Sequence, residues 1–189
     1  MRKFPRPTGF RAEFPVAITD LEQRLSRLEA IEAIKQLKAR YFHACDTKQV
    51  AGIRACFAPG KIELRYGRIG QFTDREQLVD IFSELACHDH IVEMHHGQNP
   101  QIEVHDAGHA SGQWGLYYYL IDTRQQTVTQ LGGVYRDSYV CRDGQWLISQ
   151  SDYEVTSTQI FALSEGLAKV VFAGSQAPAE LDDPGKQGR

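Results

Sequence analysis

The chain has 189 residues, which at about 150 residues per domain indicates one globular domain with short appendages. An apolar fraction of 42% and a charged fraction of 24% argue against a disordered, collagenous or coiled-coil protein. The formal net charge of −3 lacks the basic excess of a nucleic-acid binder, so we expect no nucleic-acid partner. The longest apolar run, 116–121, is far shorter than the about twenty residues of a membrane helix, so no membrane partner is expected either.

Missing motifs narrow the chemistry further. The four cysteines form no C-x-x-C pair, which argues against a zinc ribbon or a dithiol redox centre and favours reduced, packed thiols. The sequence contains no G-x-G-x-x-G, no G-x-x-x-x-G-K-[ST] and no G-x-S-x-G, which excludes the usual dinucleotide, nucleotide and hydrolase-elbow interpretations. Prolines interrupt the apolar stretches at the start, so no secretory signal is indicated and a cytoplasmic location is expected.

The first half of the chain has helical periodicity. Residues 1–19 are proline-rich and are predicted to form an irregular arm. From Asp20, a candidate N-cap, apolar residues recur every three or four positions as far as Tyr41, which predicts one long helix or two in tandem. A second helical pattern covers 50–57 and ends at Pro59. The T-x-x-E pattern of Thr73 and Glu76 predicts a capping box at the start of a third helix.

After residue 87 the period changes to two and β-branched and aromatic residues dominate. Strands are predicted at 91–96, 102–105, 112–122, 128–141 and 146–156, the last three as an antiparallel meander. Residues 174–189 have the composition of a frayed tail, which leaves 20–173 as the folded domain. Helices followed by an antiparallel sheet indicate the α+β class, in which helices cover one sheet face and a curved sheet can enclose a ligand pocket.

The segment 88–96 contains four histidines and raises the question of a metal site. Successive side chains on a strand point to opposite faces, so His95 and His96 cannot enter one pocket without a bulge. His88 and His90 can share a face, but no third ligand stands at a suitable spacing. Exposed loop histidines explain these two better, and no bound metal is expected.

A second interpretation is a histidine that works as a cofactor-free acid or base in an apolar pocket. Such a histidine needs a carboxylate partner, and Asp46, at the end of the long helix, is the best-placed candidate. The alternative is a solvated helix-end carboxylate and a buried structural histidine. Tyr41 lies five residues before Asp46, about 140° away around a helix, so both can face a cavity only if the helix ends near Asp46.

The aromatic strand 112–122 divides its side chains between two faces. Alternation places Trp114, Leu116 and Tyr118 on one face and Tyr117 and Tyr119 on the other. One of the faces is expected to be core or pocket.

Several segments together resemble one family. The chain reads LEAIEAIKQLKARYFHACD at 28–46, CFAP at 56–59, HHGQNPQIEV at 95–104 and YRDSYVCRDGQW at 135–146. In this order and separation, over about residues 20–160, they resemble SnoaL-like proteins of the nuclear transport factor 2-like superfamily. Relatives in that superfamily include scytalone dehydratase, bile-acid dehydratase, lindane dehydrochlorinase, ketosteroid isomerase and polyketide cyclases. The resemblance implies a cone-shaped, curved mixed sheet with N-terminal helices around a deep apolar pocket, a cystatin-like α+β barrel.

The resemblance also implies site residues. The dehydratase and dehydrochlorinase branches pair an aspartate closing the first helix with a histidine four residues before an asparagine, positions that match Asp46, His95 and Asn99. Tyr41 and Tyr66 match tyrosines that line or polarise the substrate. Some relatives carry a third acid or a second histidine on the middle strand, where this chain has Tyr118 and Trp114.

The resulting hypothesis is a lyase without metal or organic cofactor that eliminates water or another group from a small hydrophobic ring compound. Catalysis would involve His95, Asp46 and Tyr41, and the substrate would contact four further residues: Tyr66, Trp114, Tyr118 and Asn99. An isomerase or cyclase with the same parts and a non-catalytic ligand-binding or assembly subunit remain alternatives, as does a metal enzyme using His88 and His90. A homodimer or higher homo-oligomer is expected from the family.

Overall fold

A computed structural model describes residues 18–67 and 69–165 of the chain. Its helices are α1 (Ile18–Asp46), α2 (Val50–Cys56) and α3 (Arg75–Ala86), followed after the sheet by a short 3-10 turn (Leu163–Glu165). Its strands are β1 (Glu63–Arg65), β2 (Gln71–Phe72), β3 (Ile91–Val104), β4 (His109–Asp122), β5 (Thr127–Arg142) and β6 (Gln145–Ala162). Most of the predicted arm and all of the predicted tail lie outside the described residues, so the predicted domain boundaries stay predictions.

The six strands form one curved mixed sheet in the order β2-β1-β6-β5-β4-β3. Every pair of neighbouring strands is antiparallel except β1 and β6, which run parallel to each other. The α+β class and the predicted meander are therefore confirmed, and β3 extends the meander by one strand. Strands β1 and β2 were not predicted, because strands of two or three residues are too short to show a period.

Strand β3 is continuous where two strands were predicted. The register between β3 and β4 shifts between Gln98 and Gln101, and Asn99 takes a left-handed φ of 50° there. Pro100 follows, and a bulge accommodates proline because it leaves that residue outside the hydrogen-bonded ladder. The irregular segment thus bends one strand and does not separate two.

Helix α1 is a single helix that begins before the predicted N-cap. Asp20 lies inside the first turn, since the helix starts at Ile18, so the N-cap prediction was wrong. A carboxylate in this turn still stabilises the helix, because the free amide groups there are electropositive. The helix ends at Asp46, and Lys48, with a φ of 58°, turns the chain towards α2.

The predicted capping box of α3 is displaced by one residue. Asp74 is the N-cap, and its side chain accepts from the backbone N–H of Glu76 at 2.7 Å. Gln77, and not Glu76, reaches back to accept from the N–H of Thr73 at 3.0 Å. The start of the helix was predicted correctly and the residue that caps it was not.

The core lies between α1 and the concave face of the sheet. One side of the C-terminal half of α1 is fully buried against β3 and β6, whereas the N-terminal half exposes its leucines. Gly97 on β3 allows close approach, because a Cβ there would lie 2.5 Å from Cε2 of Phe42 on α1. The core side chains of α1 are Ala30, Ile34, Leu37, Tyr41, Phe42, Ala44 and Cys45.

In the part of the chain that the structure describes, no helix has the length and apolar content to cross a bilayer.

Candidate active site

The last residue of α1 meets the middle of β3 in a hydrogen-bonded pair. Asp46 Oδ1 lies 2.6 Å from Nδ1 of His95, although the two residues are 49 positions apart in the chain. The backbone N–H of His95 also donates to Asp46, at 3.0 Å to Oδ1 and 3.2 Å to Oδ2. A carboxylate only accepts, so Nδ1 carries the hydrogen and Nε2 of the neutral imidazole is left to take a proton.

The surroundings of this pair are aromatic and partly closed to water. The side chains of His95 and Asp46 are 13% and 22% exposed. Phe42 stacks on the imidazole with ring centroids 5.6 Å apart, and Tyr118 meets it edge-on at 4.8 Å. Contact with two rings restricts the imidazole to one orientation. His96 faces the opposite side of the strand, as strand alternation predicted, and is exposed beside Met94 and Tyr117.

Tyr41 and Tyr66 form a second polar group in the same interior. Their hydroxyl oxygens are 3.3 Å apart, and each residue is 5% exposed. Helix α1 ends at Asp46, which meets the condition predicted for Tyr41 and Asp46 to face one cavity. Burial raises the pKa of both phenols above their ordinary value, so both keep their protons at neutral pH.

The other predicted substrate contacts have different environments. Tyr118 touches His95, whereas Trp114 is buried and donates its indole N–H to the Tyr139 hydroxyl at 2.8 Å. Only the indole ring of Trp114 is therefore left to contact a ligand. Asn99 is exposed in the β3 bulge, and the structure does not bring it to the Asp46–His95 pair.

An acidic residue near the pair was missed by the sequence analysis. Glu93, 9% exposed, accepts from Lys48 Nζ at 2.6 Å and from the Tyr118 hydroxyl at 2.7 Å. Burial, and then the charge of Glu93, raises the pKa of Tyr118, which thus stays protonated. Glu93 precedes His95 by two residues and therefore shares its strand face, which is the sequence signal for this residue.

A buried ion pair was also missed. Lys38 Nζ lies 2.7 Å from Asp137 Oδ2, and both side chains have no exposed surface. Asp137 accepts further hydrogen bonds from Tyr139 at 2.9 Å and Ser151 at 2.7 Å. Burial lowers the pKa of Lys38, while the Asp137 carboxylate acts in the opposite direction. The sequence signal for this ion pair was the position of Lys38 on the apolar face of α1, one residue after Leu37.

The histidines considered for a metal site do not form one with other ligands. His88 and His90 stack on each other at 5.1 Å before β3, away from the Asp46–His95 pair. Between residues 18 and 165, leaving out position 68, no group of three potential metal-binding side chains occurs.

A groove of about 510 Å³ lies on strands β3 to β6, and none of the predicted site residues lines it. The candidate site is therefore defined by the hydrogen-bonded pair and its aromatic neighbours.

Thiol chemistry provides a direct check on this interior. All four cysteines are free. Cys45 and Cys56 are 2% and 3% exposed, and burial raises the pKa of both thiols. We expect a chromogenic aromatic disulfide to label Cys87 and Cys141 in the native protein and all four thiols after denaturation, because reaction needs an accessible thiolate. Rapid native labelling of Cys45 would contradict the closed interior.

Comparison with solved structures identifies the same fold. The chain is similar to a type 2 hexachlorocyclohexane dehydrochlorinase, LinA, with a TM-score of 0.68, 21% identity, and coverage of 79% of this chain and 97% of that one. It is also similar to a putative scytalone dehydratase from Novosphingobium aromaticivorans, with a TM-score of 0.64, 20% identity, and coverage of 83% and 99%. An NTF2-like protein with a cystatin-like fold from the same organism matches with a TM-score of 0.64, 14% identity, and coverage of 76% and 93%.

The sequence profile of one family spans most of the described domain. The SnoaL-like domain matches residues 26–152, a segment that runs from α1 to β6 and includes both Asp46 and His95. The chain therefore belongs to the SnoaL-like family.

Proposed function

We propose that the protein is a lyase, independent of metals and organic cofactors, that eliminates water or another leaving group from a small hydrophobic ring compound. The observation that carries this proposal is the 2.6 Å contact between Asp46 Oδ1 and His95 Nδ1 inside an aromatic environment. A carboxylate on Nδ1 selects the tautomer in which Nε2 is basic, and it stabilises the imidazolium formed when Nε2 takes a proton.

One residue, His95, both removes the proton from the substrate carbon and returns it to the leaving group. His95 Nε2 removes a proton from a carbon beside an activating group, and the electron pair of that C–H bond forms the new double bond as the leaving group departs. The imidazolium then returns the proton to the leaving oxygen, so that water is released and His95 is neutral again. A protonated phenol, Tyr41 or Tyr66, hydrogen-bonds the oxygen on which charge develops.

Positioning must contribute alongside proton transfer. General acid–base catalysis contributes typically about 10²–10⁴-fold, so the remaining acceleration comes from orienting the substrate. Phe42 and Tyr118, which contact the imidazole from two sides, are suited to hold a flat ring beside Nε2.

The family and its structural neighbours support this class of reaction. A dehydrochlorinase and a dehydratase both eliminate a small molecule, and both share the fold of this chain. An isomerase uses the same first step and differs only in returning the proton to another carbon.

We further propose that the protein forms a homodimer or higher homo-oligomer. Met94 and Tyr117 support this proposal, because they are 48% and 39% exposed on the sheet face opposite α1. Light scattering measures the oligomeric state.

The test is a substrate screen with a matched pair of histidine variants. Purified protein, without added cofactor, is incubated with aromatic and steroidal alcohols and chlorinated cyclohexanes, and loss of water or HCl is followed by mass spectrometry. We expect turnover to fall about 10²–10⁴-fold in His95→Gln and to be unchanged in His96→Gln, because only His95 contacts Asp46.

Two outcomes would favour the alternatives. Solvent deuterium incorporated into a rearranged product without loss of a group would indicate an isomerase. Binding of panel compounds that remain unreacted with wild-type protein would indicate a non-catalytic ligand-binding subunit.

A further inference from the structure

The N-terminal half of α1 carries its apolar side chains on the outside of the protein. In the segment 20–29 the apolar residues are Leu21, Leu25 and Leu28, which are 59%, 53% and 63% exposed. Spacings of four and three residues place all three along one side of the helix, and we call them the leucine stripe. The other residues of the segment are polar or charged.

The leucine stripe points away from the domain to which the helix belongs. The buried side chains of α1 begin at Ala30 and continue with Ile34 and Leu37. At 3.6 residues per turn, this buried face lies roughly 180° around the helix from the leucine stripe. A surface helix normally turns its apolar side towards its own core, so the reversed order in 20–29 indicates contact with another apolar surface.

The segment does not have to fold in order to bind. It continues without a break into the C-terminal half of α1, which is buried against β3 and β6. A partner that covers the leucine stripe therefore meets a helix that is already formed, and the cost of ordering the backbone does not weaken the contact.

The spacing of the stripe fits a second helix of the same kind. The a and d positions of a heptad fall on 18, 21, 25 and 28, which are isoleucine and three leucines. The next a and d positions are Glu32 and Lys35, which are exposed and form an ion pair with each other at 3.6 Å. The apolar seam thus ends at the point where α1 begins to pack on the sheet.

The charges beside the stripe favour a parallel pair of identical helices. Arg24 occupies a g position, and Glu22 and Glu29 occupy e positions; all three are exposed. In a parallel pair, Arg24 of each copy lies beside Glu29 of the other, which gives two attractive contacts. An antiparallel pair would instead place Glu22 beside Glu29 and repel.

The orientation and charge of the segment agree with this partner. Because the domain lies on the side of α1 opposite the stripe, a parallel contact leaves both domains on the outside of the pair. The segment 20–29 has three acids and two arginines, and so lacks the basic excess that draws an amphipathic helix to an anionic membrane.

We propose that the leucine stripe is the docking surface for a second copy of this chain, which binds through a parallel contact between the N-terminal halves of α1. The proposal rests on the proposed homo-oligomer and not on the lyase activity. It assigns to that oligomer a surface distinct from the sheet face that carries Met94 and Tyr117.

The first test is analytical ultracentrifugation of the full chain over a range of concentrations. We expect the wild type to associate and Leu25→Asp to raise the dissociation constant of the helix contact by at least about 100-fold, because two leucines leave the apolar seam. The matched control is Ser26→Asp, which adds the same charge one position away from the stripe and should leave association unchanged. Both positions are exposed, and circular dichroism should show unchanged helix content.

The second test reverses the charges beside the stripe. Arg24→Glu and Glu29→Arg should each raise the dissociation constant about 10-fold, because two attractive contacts become repulsive. The double variant should restore it, because the two charges again have opposite signs.

The proposal is overturned if Leu25→Asp and Ser26→Asp behave alike, or if Glu29→Arg strengthens association, as an antiparallel pair requires. An assembly whose size is unchanged by Leu25→Asp but reduced by Tyr117→Glu would also overturn it and leave the sheet-face contact standing. A chain that is monomeric at every concentration refutes both contacts. If such a monomer binds phosphatidylglycerol vesicles and Leu25→Asp does not, the stripe belongs to a membrane surface and the proposal is wrong.

Discussion

Asp46→Asn is expected to reduce turnover by about 10²–10⁴-fold while changing KM little. The Asp46 carboxylate accepts from both the ring Nδ1–H and the backbone N–H of His95. The oxygen of asparagine can still accept from both donors, because both reach the single atom Oδ1, but the amide carries no negative charge. It therefore cannot stabilise the imidazolium that forms when Nε2 takes a proton. The measurement is kcat and KM on a substrate identified by the screen.

The chain contains a matched control for this variant. Asp106 and His109 form another aspartate–histidine pair, at 3.0 Å, but their side chains are 60% and 66% exposed. Asp106→Asn is expected to leave turnover unchanged, because this pair lies in solvent and away from the candidate site. Equal kinetic constants for Asp46→Asn and wild type would mean that the Asp46–His95 pair only holds α1 against β3.

Lys38→Met is expected to lower the free energy of unfolding by about 3–5 kcal/mol, because it leaves the Asp137 charge buried without its cation. Tyr139 and Ser151 still donate to Asp137, but neither hydroxyl carries a positive charge. Asp137→Asn should cost a similar amount by leaving the ammonium unpaired. The double variant should be more stable than the sum of the two losses predicts, since it removes both charges together. Urea unfolding of the four proteins measures the coupling.

An exposed ion pair on the same strand is the control. Arg136 contacts Glu154 at 3.0 Å with side chains 53% and 61% exposed, so Arg136→Met should change stability by less than about 1 kcal/mol. A loss from Lys38→Met no larger than that from Arg136→Met would show that water reaches the Lys38–Asp137 pair.

The predicted part of the candidate site depended on local patterns and on family resemblance. Alternation along β3 separated His95 from His96, and the polar run after Asp46 predicted the end of α1. The resemblance then paired Asp46 with His95, and the structure brings these two side chains into contact. Tyr41 and Tyr66 were predicted individually, whereas their contact with each other was not.

The polar groups that the sequence did not predict all depend on contacts between segments far apart in the chain. Lys38 and Asp137 are 99 positions apart, and no pattern within either segment indicates the other as its partner. Glu93 meets Tyr118 because β3 pairs with β4 in a register that sets His95 opposite Tyr118.

The amino-acid sequence alone therefore determined the helical and strand periods and the α+β class, because these follow from the spacing of apolar residues along a few turns or strand positions. The tertiary structure decided which polar side chains share the interior. That outcome depends on strand register and on how α1 crosses the sheet, and both are set by packing between segments far apart in the chain.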